Sequence, residues 1–131
     1  MDSTPAKLLR QARAAMKRAY APYSNFQVGA AIQLKDGRIF TGCNVENASY
    51  GLTICAERNA IFAAVAGSAK KPEIMAVVVV NQRGVPCSPC GACRQVIAEF
   101  GPQATVWYLG AKGMVSRPMT ELLVDGFVLK D

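Results

Sequence analysis

Three cysteines and one glutamate stand at spacings that suit metal chemistry. Cys90 and Cys93 are three residues apart in the run Pro89-Cys90-Gly91-Ala92-Cys93. At a helix start, that spacing puts both thiols on one face. Cys55 opens a second helical pattern. Thiols at helix N-termini meet the positive end of the macrodipole and free N–H groups, which favour the thiolate a metal requires. Three thiolates suit zinc, and three protein ligands leave a fourth tetrahedral position open for water. Glu57 follows Cys55 by two residues and can face that position without ligating. A carboxylate there can take a proton from the water and pass it to a bound substrate.

A closed site is the competing arrangement. Cys87, Cys90 and Cys93 form a Cys-x-x-Cys-x-x-Cys run, and Cys55 makes a fourth thiol. A Cys₄ zinc or an iron–sulfur cluster would hold the fold and catalyse nothing. Two features count against it. Cys87 precedes the expected N-cap, and Pro89 forces Ser88 toward extended geometry that carries Cys87 away. A thiol redox pair of Cys87 and Cys90 is a further alternative, but it gives no task to Cys55 or Glu57. The chain has no histidine, which excludes Ser-His-Asp and Cys-His nucleophile systems.

The elements that must position these residues can be read from pattern. Thr4-Pro5 reads as an N-cap and first helical residue, opening a helix to about Tyr20. Phe26 to Leu34 and Arg38 to Gly42 read as strands, with Asp36-Gly37 as a two-residue hairpin signal between them. Cys55 to Ala66 reads as a helix closed by Gly67. Met75 to Val80 is an apolar run, as in a strand buried on both faces. Ser88-Pro89 marks a helix start, with Ser88 as N-cap and an end near Gly101-Pro102. Thr105 to Leu109 is a strand, and the tail from Thr120 offers a short helix and a last short strand. This alternation predicts an α/β fold of three layers, α/β/α, with a mixed central sheet of about five strands.

The 131 residues suit one domain, 1–131, and the 51% hydrophobic content argues against disorder. No apolar run approaches the ~20 residues that span a bilayer. Met1 to Arg18 is charged throughout and carries no signal-peptide pattern, which predicts a cytoplasmic location. Five cysteines, an odd number, then argue for metal or catalytic roles over a disulfide framework. The net charge of +6 would suit nucleic acid, but most of it sits on the first helix. Lys7, Arg10, Arg13, Lys17 and Arg18 lie opposite Leu8, Leu9, Ala12, Met16 and Ala19 at helical spacing. That is a solvated face with few aromatics, which argues against an RNA-binding module and predicts neither a nucleic-acid nor a membrane partner.

Four blocks resemble one family. They are Ala21-Pro22-Tyr23-Ser24-Asn25-Phe26-Gln27-Val28-Gly29-Ala30-Ala31, Gly42-Cys43-Asn44-Val45-Glu46-Asn47, Cys55-Ala56-Glu57-Arg58 and Pro89-Cys90-Gly91-Ala92-Cys93-Arg94-Gln95. Their order and spacing resemble the small homotetrameric cytidine deaminases over nearly the whole chain. Zinc deaminases permit a Cys₃ ligand set with a non-ligating glutamate. The resemblance implies one zinc ion on Cys55, Cys90 and Cys93. It implies that zinc-bound hydroxide attacks C4 of free cytidine or deoxycytidine while Glu57 carries protons, releasing ammonia. It further implies that Phe26 packs on the pyrimidine, that Asn44 and Glu46 bind the ribose, and that the Ala56 N–H meets the base oxygen. Tyr50 and Phe127 would complete a neighbouring subunit's pocket. The Phe127 match carries no motif, and Cys87 departs from the family pattern. A deaminase of another cytosine compound, the blasticidin type, is the rival; the block Asn44 to Asn47 argues against it. Arg58, three residues after Cys55, shares its helix face and is expected to donate to a ligand thiolate and draw charge from the metal.

Overall fold

The computed structural model describes residues 2–129, so Met1, Lys130 and Asp131 lie outside the description. Chain order is α1 (Ala6–Met16), β1 (Val28–Leu34), β2 (Ile39–Cys43), a 3₁₀ turn (Tyr50–Leu52), α2 (Ala56–Ala66), β3 (Ile74–Asn81), α3 (Gly91–Phe100), β4 (Thr105–Gly110), β5 (Gly113–Pro118) and α4 (Met119–Leu122). The five strands form one sheet in the order β2-β1-β3-β4-β5. β1 pairs antiparallel with β2 and β3, β3 pairs parallel with β4, and β4 pairs antiparallel with β5. The sheet is therefore mixed, as the strand–helix alternation predicts.

Side chains alternate across the two central strands because successive residues point to opposite faces. Ala31, Val78 and Val80 pack with Leu8 and Ala12 of α1. Ala30, Ile32, Val77 and Val79 pack on the other face with Ala60, Ile61 and Ala64 of α2 and Ile97 of α3. Helices thus cover both faces, and the layers are α/β/α. Two glycines set how closely the helices lie. A Cβ on Gly29 would stand 2.1 Å from the Ala12 carbonyl oxygen of α1. A Cβ on Gly42 would stand 2.4 Å from the Ala60 nitrogen of α2.

Several boundaries differ from the sequence expectation. α1 stops at Met16, and its N-cap is Pro5 rather than Thr4. The hairpin loop is three residues rather than two. The Leu34 N–H donates to the Arg38 carbonyl and the Gly37 N–H to the Leu34 carbonyl, with Gly37 at φ +94°. Asp36-Gly37 carries the turn, but Lys35 joins it and glycine takes the positive-φ position that closes such loops. α3 begins at Gly91 with Cys90 as N-cap, two residues later than Ser88-Pro89 suggests. β5 was not expected. Its sequence, Gly113 to Pro118, lacks a clean apolar alternation and ends in proline, which is compatible only with an edge strand. The tail forms a short helix, α4, and no strand follows it among the described residues. No helix of these residues is long and apolar enough to cross a membrane.

Candidate active site

Two helix N-termini meet at one point, and both N-caps are cysteines: Cys55 for α2 and Cys90 for α3. Cys93 sits one turn into α3, fully buried, and its N–H donates to the Cys90 sulfur at 3.4 Å. The sulfurs of Cys55, Cys90 and Cys93 all lie within 4.8 Å of one another, with Cys55 and Cys90 at 3.9 Å. Thiolates ~2.3 Å from a tetrahedral zinc stand roughly 3.8 Å apart, so the trio fits that ion. Cys87 is not in this group. Its backbone N–H is bound to the Leu109 carbonyl at 2.9 Å, and burial pushes its thiol up. The four-thiol arrangement is not what the chain forms.

A hydrogen bond from Cys93 holds the Cys55 thiol well below its ordinary range, against its burial and with help from Arg58. The same hydrogen bond pushes Cys93 well up. Arg58 Nη2 donates to the Cys55 sulfur at 3.4 Å, as its place on the Cys55 face of α2 predicts. Its Nε is buried without a partner among the described residues. An unpaired buried donor is costly, so this placement is opposed by Nε and favoured by the bond to the Cys55 sulfur.

Glu57, in the first turn of α2, is 5% exposed. Burial lifts its carboxyl to about 7, and the neighbouring Cys55 charge adds to the lift. Glu57 opens onto a cavity of about 410 Å³ together with Cys55, Cys90 and Ala56. Phe26, Asn44 and Glu46 line the same cavity. Asn44 is buried, and its amide ties two segments together: Oδ1 accepts from the Val28 N–H and Nδ2 donates to the Phe26 carbonyl, both at 2.8 Å. Glu46 Oε1 accepts from the N–H groups of Tyr23 and Ser24 at 2.9 and 3.1 Å, and Oε2 from the Ser24 hydroxyl. These bonds, the hydroxyl foremost, hold the Glu46 carboxyl below the usual carboxylate range.

Two expected residues stand apart. Tyr50 is 75% exposed and lines an adjoining hollow that shares Ser24, Glu46 and Thr53 with the cavity. Phe127 is 71% exposed and lies in a different hollow, beside Ala98, Pro102 and Met119. Its backbone is clamped by Gln95, which accepts from its N–H at 3.1 Å and donates to its carbonyl at 3.0 Å. Neither lines the metal cavity of its own chain. Sequence reasoning missed Arg83, Ser88 and Thr53 as cavity residues. Arg83 sits in a turn with no motif, so only the return of the β3–α3 connection toward Phe26 could have revealed it.

Residues 2–109 match the family model described as the cytidine and deoxycytidylate deaminase zinc-binding region. The chain belongs to the cytidine and deoxycytidylate deaminase family. Within that family, the cytidine deaminase of Halalkalibacterium halodurans is 48% identical over 126 residues, covering 95% of this chain and 94% of that one. The Mycobacterium tuberculosis cytidine deaminase is 42% identical over 118 residues, covering 86% and 81%. The crystal structure of the Burkholderia pseudomallei cytidine deaminase superposes with a TM-score of 0.86 at 48% identity, covering 95% of this chain and 99% of that one. The chain is thus a zinc enzyme of the deaminase type, and its sulfur trio is the chemistry that zinc requires.

Proposed function

We propose that the chain, as one catalytic domain over residues 1–131, hydrolyses free cytidine and deoxycytidine to uridine and deoxyuridine with release of ammonia. The reaction belongs to pyrimidine salvage in the cytoplasm. The observation that carries this is a three-sulfur cluster, of which Cys55 and Cys90 line a cavity of about 410 Å³, beside a deeply buried carboxyl on the same cavity. Cys55, Cys90 and Cys93 hold the zinc. When bound, zinc supplies the Lewis acidity that makes water a nucleophile near neutral pH.

Glu57 accepts a proton from the attacking water. It gives that proton to N3 of the base, then takes the proton left on the hydroxyl added at C4 and passes it to the amine nitrogen, which leaves as ammonia while C4 keeps the oxygen. A carboxyl held at about 7 is matched to taking and returning protons near neutral pH. The Ala56 N–H is the first of α2 and has no intrahelical acceptor, so it is free to donate to the base oxygen. Phe26 packs on the pyrimidine ring. Asn44 spends part of its amide on Phe26 and Val28 and retains one donor and one acceptor site for the ribose. Glu46 retains acceptor capacity for a sugar hydroxyl. Tyr50 and Phe127, exposed and outside their own chain's cavity, complete sites in a homotetramer.

The test is zinc content together with cytidine absorbance. The purified protein is expected to hold one zinc per chain and to convert cytidine to uridine. Cys87→Ser should keep both properties. Glu57→Gln should keep zinc and lose activity by on the order of 10²–10⁴ or more. Loss of zinc in Cys87→Ser would return the site to four thiols, and an active Glu57→Gln would remove Glu57 from proton transfer.

A further inference from the structure

Phe26 is carried by the irregular segment 21–27, which needs outside contacts to hold one shape. Asn44 holds the Phe26 carbonyl and Gln82 the Gln27 N–H, and two side chains of opposite charge hold the residues just before Phe26. Glu46 binds the segment by its N–H groups, at Tyr23 and Ser24. Arg83 binds it by its carbonyls: Nη2 donates to the oxygens of Ser24 and Asn25, each at 3.1 Å. Ser24 is therefore held at both ends of its backbone. Asn25, between Ser24 and Phe26, sits at φ +55°, a left-handed conformation that asparagine adopts more readily than other non-glycine residues and that turns the chain toward Phe26. The Arg83 guanidinium carbon also lies 5.2 Å from the centroid of the Phe26 ring, within range of a cation–π contact. Arg83 is itself fixed from behind. The buried Asn81 accepts the N–H groups of Arg83 and Val85 and donates to the Val85 carbonyl. The turn so formed leads directly to Cys87, Ser88 and Cys90.

We propose that Arg83 is a positioning residue for substrate: it clamps the Tyr23–Phe26 segment by its carbonyls and holds the Phe26 ring at the cavity wall. This rests on the reading that Phe26 packs on a pyrimidine. A ring held in one place ahead of binding spares the enzyme the entropy of ordering it afterwards. Stacking on Phe26 is the same before and during reaction, so its loss weakens binding and leaves the chemical step alone. Lysine replaces arginine only in part: its ammonium can bond the two carbonyls that Nη2 binds, but it has no planar guanidinium to lay over the Phe26 ring at the same time.

The experiment uses the zinc-loaded full chain and steady-state kinetics with cytidine. Arg83→Gln is expected to raise KM five- to fiftyfold with kcat within threefold of the parent, at one zinc per chain. Arg83→Lys should raise KM by an intermediate factor. In a double-mutant cycle, Arg83→Gln should cost less than half as much in a Phe26→Leu background, because it acts through the ring. An unchanged KM, or a cycle in which the two changes simply multiply, overturns the proposal. Should Arg83→Gln fail to hold zinc, Arg83→Lys decides alone: at least a threefold rise in KM supports the clamp, and no rise overturns it. Failure of the parent protein to turn over cytidine would instead overturn the functional reading, so the two failures are told apart by the parent's activity.

Discussion

At the scale of residues, the site is an exercise in charge. Zinc with three thiolates carries net charge −1, which weakens its pull on water and raises that water's pKa. Each unit of such a rise corresponds to about 1.36 kcal/mol. Two helix N-termini offset part of this, each acting as roughly half a positive charge. We propose that Arg58 offsets a further part, since its Nη2 sits 3.4 Å from the Cys55 sulfur. Substitution of Arg58 by Gln is expected to keep zinc and lower kcat by about tenfold or more. Cys55→His removes one negative charge from the ligand set, so it should partly restore the rate in the Arg58→Gln background. The readout is the double-mutant cycle on kcat/KM. Simple additivity, with no rescue, would mean that Arg58 does not balance thiolate charge.

At the scale of elements, the metal trio depends on how tightly α2 lies on the sheet. Gly42 permits contact of β2 with the α2 backbone near Ala56, Asn59 and Ala60, within about one and a half turns of Cys55 and Glu57. Gly29 permits the same for α1, which carries no site residue. Gly42→Ala and Gly29→Ala should both destabilise by about 1–3 kcal/mol, the usual cost of overpacking. Only Gly42→Ala should also lose zinc faster to a chelator, because it alone displaces the helix that presents Cys55. Equal zinc loss in both would show that the trio responds to general loosening. The sequence made most of this frame legible, because the strong signals were local. Gly67 and Cys55 bracketed α2, and the apolar run of β3 required burial on both faces. Local signals were silent or misleading elsewhere. Ser88-Pro89 looked like a cap, yet Arg94 binds the Ser88 hydroxyl and the Pro89 carbonyl from α3 and keeps both outside the helix. β5 owes its existence to pairing with β4, a tertiary fact. Arg83 reaches Phe26 across 57 positions of sequence, and no periodicity reports such a contact.

At the scale of the whole molecule, several large apolar side chains stand on the surface. Tyr20, Tyr50, Leu52, Val124, Phe127 and Leu129 are each more than half exposed. We read these side chains as the contact surface for further copies of the same chain, which the resemblance to homotetrameric deaminases implies. Light scattering should therefore give four times the 14.0 kDa chain mass. Mass alone does not show that sites are shared, whereas complementation does. Subunits with Glu57→Gln have a disabled proton carrier but an intact Tyr50 to lend. Subunits with Tyr50→Ala have an intact carrier but no tyrosine to lend. If Tyr50 completes a neighbour's cavity, each variant alone is poor. Co-refolding the two places a sound Glu57 beside a sound Tyr50 at some junctions, and activity should rise above the sum of the separate preparations. The gain should appear in kcat/KM for cytidine and disappear on dilution below the dissociation range of the tetramer. If the mixture shows only the summed activity, or a monomer at nanomolar concentration is fully active, each cavity is complete within its own chain and the exposed tyrosine serves assembly alone.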